Sequence, residues 1–347
     1  MKARPRVYSS VCVAVTPAPF REMLAVTEFT WRGRPSWHVS SASLHAVIIR
    51  CGGHLAALYS AADEHRVNPL WQPHWPSGDP STAAAAGTWG VGANAVEAPL
   101  LASICGSNLC VDRFGAPREG ESRPLHGEAG VVDWRLESAD DSRIVFSATL
   151  PLARLDVTRA LSIRGSTLVL ETTVRADASG GARPLIEWAE HTTLGNAFLD
   201  GCTVTAGVDV AAVMPADGAV DVEIIPVADA LALPSAADPP TGSVRTCRVV
   251  DGRWEATNAA LGWRLSARWD RAGFPWLCVW TEHRLRTHAP WGGVERTRGL
   301  EISTKPFPEG APPKERDTEF LGSPSAPISL AAGDVARRTV EFTWERI

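Results

Sequence analysis

Short runs in which apolar and polar residues alternate recur along the chain. They include "RIVFSATL" from Arg143, "TLVLETTV" from Thr167, "GWRLSARW" from Gly262 and "RTVEFTWER" from Arg338. Residues two apart in a strand project to the same face, so this alternation predicts strands. "LHAVIIRC" from Leu44 and "WLCVWTEH" from Trp276 are equally short and rich in β-branched or aromatic residues, which also favours strands. Long amphipathic helical patterns are absent. The 29 Gly and 26 Pro fall between the runs, as turns joining antiparallel strands require. The predicted fold is all-β, a large antiparallel β-sandwich.

Two stretches of low complexity interrupt the pattern. "PSGDPSTAAAAGTWGVGANA", ending at Ala95, and "ADALALPSAADPPTGS", residues 228–243, are expected to be surface loops or edge excursions. Strand patterns of the same kind continue on both sides, so residues 26–347 are read as a single domain. Residues 1–25 are expected to be a poorly structured or misassigned extension. Its apolar stretch from Val11 to Val15 is too short for a secretion signal. The glycines of "TWGVGANAVEA" resemble part of a dinucleotide loop, but neither a third spaced glycine nor a βαβ pattern surrounds them.

Composition narrows the function classes. The 347 residues are 45% apolar and 21% charged, enough to bury a large core. A net charge of −5 provides no basic field for nucleic acid. No stretch approaches the roughly 20 apolar residues of a membrane span. The expected partner is small or neutral. The seven cysteines are odd in number, scattered and without metal-ligand spacing, so they read as buried hydrophobes in a reducing cytoplasm.

Three stretches carry candidate chemistry. In "PLHGEAGVVDW", residues 124–134, a strand would place His126 and Glu128 side by side with Gly127 between them. In "PLIEWAEHTTLGNAFLDG", alternation puts Ile186 and Trp188 on one face and Glu187, Ala189 and His191 on the other. In "GLEISTKPFPEG", Leu300 and Ile302 share one face while Glu301 and Ser303 point oppositely. A glutamate between apolar neighbours is partly desolvated, which moves its pKa towards that of a base working near neutrality. Trp276, Cys278 and Trp280 share a face upstream, and a tryptophan ring suits the C–H side of a sugar. Lone histidines in β-proteins are ordinarily structural. A metal site of His126, Glu128 and His191 is conceivable from the His-x-Glu spacing, but no further ligand spacing supports it.

Read in chain order, these stretches resemble the aldose 1-epimerase family, the galactose mutarotases and their hexose-6-phosphate relatives. "GGHLAAL" at 52–58 with "NPLW" at 68–71 resembles the family's first hairpin and its neighbour. "ICGSNLCVDRFGAP" followed by "LHGEA" resembles its glycine-led loop and histidine-glycine pair. "EHTTLGNAFLDG" and "GLEISTKPFPEG" resemble the strands carrying its catalytic histidine and glutamate. The resemblance implies a galactose mutarotase-like supersandwich and interconversion of sugar anomers without metal or cofactor. It assigns His191 as general acid, Glu301 as general base and His126 as a sugar contact near the ring oxygen. Asn108 and Arg113 stand where the family's Asn-Arg pair is expected, and Glu190 replaces the asparagine before the catalytic histidine. Glu128 and Trp280 complete the expected substrate contacts. The implied partner is a small-molecule carbohydrate, and the implied state a monomer or homodimer. A sugar-binding or regulatory protein without turnover, or another sugar isomerase or lyase, is the alternative on the same scaffold.

Overall fold

The computed structural model describes residues 23–117, 120–178, 185–214, 222–308 and 319–347. The extension expected over 1–25 thus lies almost wholly outside the described residues. Leu24 is buried and Ala25 begins the first strand.

The strands are β1 (Ala25–Trp31), β2 (Arg34–Ser40), β3 (Leu44–Ile49), β4 (Leu55–Ser60) and β5 (Ser107–Asp112). There follow β6 (Arg135–Asp140), β7 (Arg143–Leu150), β8 (Leu155–Arg164), β9 (Thr167–Ala176), β10 (Glu187–Leu194), β11 (Cys202–Val213) and β12 (Ile224–Ile225). The last are β13 (Thr241–Asn258), β14 (Trp263–Trp269), β15 (Trp276–His283), β16 (Arg296–Ser303), β17 (Glu319–Phe320), β18 (Ser323–Pro324) and β19 (Val335–Arg346). The pairings between these strands are antiparallel, and each run singled out in the sequence lies on one of them.

Two layers result. The front layer runs β5, β10, β16, β15 and the first half of β13. The back layer runs β6, β7, β8, β9, β19, β14 and the second half of β13. The long strands β11 and β13 pass from one layer to the other as a pair, with register shifts between Ala206 and Val210. Gly207 sits in that bend because a Cβ there would lie 2.2 Å from the Asp251 carbonyl oxygen.

Alternation decides which face of each front strand meets the back layer. Trp188, Leu194, Leu277, Val279, Leu300 and Ile302 face inward and join Phe146, Leu161, Leu170, Val340, Phe342 and Trp344 in one apolar core. Their odd-numbered or even-numbered neighbours must then face outward, and on β10, β15 and β16 these are His191, Cys278 and Glu301. They do not reach solvent, because the segments around 68–104 and 113–134 cover that face, and all of β10 is buried.

Three stretches differ locally from expectation. The alanine-rich stretch is helical in part: α1 spans Pro80–Ala86 and α2 spans Ala98–Ser103. The stop and start signals are local, with Asp79 accepting from the Ser81 amide, Pro80 in the first turn and Gly87 at φ +70° after the last. In 228–243, a short helix Val227–Leu231 likewise precedes the start of β13. The stretch 124–134 is not a strand. His126 has φ +62°, Gly127 has φ +82°, and Glu128–Gly130 form a 3₁₀ turn. A Cβ on Gly127 would stand 2.5 Å from the Val111 carbonyl oxygen, so glycine lets this turn close onto β5.

Candidate active site

Three neighbouring strands bring one row of side chains together. His191 on β10 is paired directly with Glu301 on β16 and with Asn108 on β5, so all three project from the same face. His191 Nε2 lies 3.0 Å from Glu301 Oε1, and both side chains are almost fully buried. The other ring nitrogen, Nδ1, is 3.2 Å from Thr193 Oγ1. Beside the pair, on the same face, lies an apolar bed of Cys110, Phe114, Ala189 and Cys278. Gly299 completes the arrangement: a Cβ there would be 2.5 Å from Glu301 Oε1, so its absence makes room for the carboxyl group.

Burial on this bed controls the charge of both groups. It pushes the Glu301 carboxyl up to about 8 and the His191 imidazole down to about 4. Near neutral pH the site therefore holds a neutral imidazole against a protonated carboxyl. One proton shared across a 3.0 Å contact is poised between donor and acceptor.

The pair opens into a cleft of about 210 Å³. Its polar residues besides the pair are His126, Glu97 and Arg286, while Leu100, Ile104, Leu125, Trp280 and Trp291 supply apolar walls. The His126 ring packs edge-on to His191 at 5.2 Å between centroids. Its Nδ1 accepts the Gly115 amide at 3.1 Å. In the neutral ring that bond places the hydrogen on Nε2, leaving a donor for a ligand. Burial, followed by the neighbouring His191, Arg286 and Lys305, holds His126 well below its ordinary pKa. Trp280 contacts His191 edge-on at 5.9 Å.

Of the seven side chains expected from the sequence, His191, Glu301, His126 and Trp280 line the cleft. Asn108 flanks His191 in the row but is fully buried, and its amide donates to Cys110 Sγ. Arg113 and Glu128 do not line the cleft. Arg113 pairs with Glu121 and donates to the Ala116 carbonyl, bracing the loop after β5. Glu128 accepts the backbone N–H groups of Leu152 and Ala153, because the 3₁₀ turn directs it into the fold. Glu190 faces the opposite layer and pairs there with Arg159 on β8. Among the described residues, no group of three His, Cys, Asp or Glu side chains is arranged to hold a metal ion. No helix is long and apolar enough to cross a membrane.

Sequence reasoning missed Arg286, Trp291 and Glu97. Arg286 lies over the Trp291 ring at 4.8 Å and the Trp280 ring at 5.6 Å, and reaches Glu97 at 3.4 Å. Arg286 and Trp291 come from the loop between β15 and β16, where no periodic pattern marks a direction. Trp291 is the lone Phe, Tyr or Trp in that loop, so composition marked nothing there either.

No protein-family model matches the chain, and no curated protein sequence does. Solved structures do match. A galactose mutarotase-like protein from Clostridium acetobutylicum is 14% identical, with a TM-score of 0.59 over 94% of this chain and 99% of that one. A galactose mutarotase related enzyme from Lactobacillus acidophilus is 12% identical, with a TM-score of 0.58 over 89% and 97%. The fold is galactose mutarotase-like. A galactose mutarotase-like protein from Lactobacillus casei, 13% identical with a TM-score of 0.55 over 92% and 100% of the two chains, agrees. This galactose mutarotase-like sandwich thus keeps its architecture at identities where little of the sequence is shared.

Proposed function

We propose that the protein interconverts the anomers of a sugar or related hemiacetal, with His191 and Glu301 as the acid/base pair. The buried contact between His191 Nε2 and Glu301 Oε1 at 3.0 Å, facing a cleft with aromatic walls, carries this reading. Ring opening breaks the bond between the anomeric carbon and the ring oxygen. A base removes the anomeric hydroxyl proton as the C=O forms, and an acid delivers a proton to the ring oxygen. Rotation about the adjacent C–C bond presents the other carbonyl face, and the reverse transfers close the ring. The proton count of the pair is unchanged over the cycle.

The pair meets this requirement in either of two forms that differ by one proton's position. With the proton on His191, the imidazolium is the acid and the Glu301 carboxylate the base. With it on Glu301, as burial favours, the roles exchange. His126 Nε2–H would hold an oxygen of the ligand, and Trp280 would cover a C–H face. The six free cysteines among the described residues, five of them buried, support a reducing compartment such as the cytoplasm.

Exchange NMR on freshly dissolved aldoses tests the reading. The protein should accelerate anomer exchange, and His191→Asn and Glu301→Gln should each remove it by on the order of 10²–10⁴-fold while remaining folded. Wild-type exchange in both variants would sink the assignment of the pair. Sugar binding without any accelerated exchange would instead identify a binding protein on this fold.

A further inference from the structure

A second cavity, of about 220 Å³, lies outside the cleft between the β1–β2 hairpin and the segment 72–77. Trp31, Arg32, Arg34, Gln72, His74 and Trp75 line it. Arg34 is only 8% exposed. Its guanidinium donates to the Ser103 and Ala102 carbonyls and to Cys105 Sγ. Among the described residues no carboxylate lies within ion-pair distance of it, and a charged neighbour is a second cation, Arg32. Removing a guanidinium from water without a counter-charge is costly, and carbonyl oxygens return only part of that cost.

Arg298 shows that such a cation can be purely structural. It is fully buried and donates to the Ala230 and Ala232 carbonyls. Arg34 differs in facing a cavity beside another arginine, with two indole rings in the walls. Glu295, which anchors His74 in the cavity wall, is already occupied by Trp71 Nε1 at 2.7 Å and by the His74 amide and ring at 2.8 and 2.6 Å. Arg32 is directed inward by its own bond to the Pro73 carbonyl at 2.8 Å.

We propose that this cavity is a binding site for a small oxyanion-bearing ligand, a phosphate ester or a carboxylate, held by Arg32 and Arg34 between Trp31 and Trp75. Guanidinium groups suit both anions through paired N–H donors. The site backs onto the cleft across an aromatic wall. Trp75 packs against Trp71 at 5.5 Å and Trp291 at 5.0 Å, and Trp291 lines the cleft. Trp75 Nε1 also donates to the carbonyl of Leu101, another cleft residue. The inference does not depend on the anomerase reading.

Calorimetric titration of the full chain with inorganic phosphate, glucose 6-phosphate and glucuronate tests it. At least one probe should bind saturably, and the pattern among the three separates phosphate from carboxylate recognition. Arg34→Met and Arg32→Ala should each weaken binding by about tenfold or more, as loss of a charge-assisted contact implies. Arg32 is exposed, so Arg32→Ala keeps the test meaningful if Arg34→Met fails to fold. Glu301→Gln should leave the affinity for inorganic phosphate, the probe without a sugar ring, unchanged. Absence of binding to all three probes at millimolar concentration overturns the site, as does undiminished binding by Arg32→Ala. Loss of phosphate binding in Glu301→Gln would move the anion to the cleft and overturn it equally.

Discussion

Glu301 and His191 are each held away from the charge they would carry in water, and this has two measurable consequences. Catalysis needs the pair to hold one transferable proton. Below about pH 4 His191 is also protonated and no base is left, and above about pH 8 Glu301 is ionised and no acid is left. Anomer exchange should therefore trace a bell between those limits, measured as rate against pH. A rate that rises steadily through pH 9 would count against this pairing. Stability responds to the same two groups over wider windows. Glu301 would ionise above about 4.5 when unfolded but only near 8 in the fold, so stability is lost as pH rises through that window. His191 would charge below about 6.5 when unfolded but only near 4 in the fold, so stability is lost as pH falls through that one. Gly299→Ala is the sharper steric test. The new Cβ would meet Glu301 Oε1 and push it from His191, so kcat should fall by on the order of 10²-fold with little change in melting temperature. Unaltered kcat would show that the contact at 3.0 Å is dispensable.

The strands were legible because their period is local. Inward Trp188, Leu194, Leu300 and Ile302 announced which faces of β10 and β16 meet the core, and so which way His191 and Glu301 had to point. The turn at His126 was not legible. "LHGEAGVV" alternates well enough for a strand, but close approach to β5 imposes positive φ at His126 and Gly127. That reverses the expected role of Glu128. Because it satisfies the Leu152 and Ala153 amides, Glu128→Gln should cost about 1–3 kcal/mol of stability in chemical denaturation and leave KM unchanged. A raised KM with unchanged stability would return Glu128 to the substrate. The helix α1 was similarly hidden by composition, although Asp79, Pro80 and Gly87 carried its capping signals.

Across the fold, periodic strands, turn residues and the order of "LHGEA", "EHTTLG" and "GLEIST" were enough to specify an antiparallel sandwich and the likeness to mutarotases. Apolar alternation is a property of each segment alone, so it survives in one dimension. The register that sets Asn108, His191 and Glu301 in one row joins residues far apart in the chain, as does the aromatic wall of Trp71, Trp75 and Trp291. Such pairings follow from packing between layers and leave no periodic trace. The same holds for Arg34, whose lack of a carboxylate partner among the described residues is visible only in three dimensions. The chain's pattern thus settled which faces are buried, whereas long-range packing settled which buried polar groups meet, because proximity across strands is set by register and not by spacing.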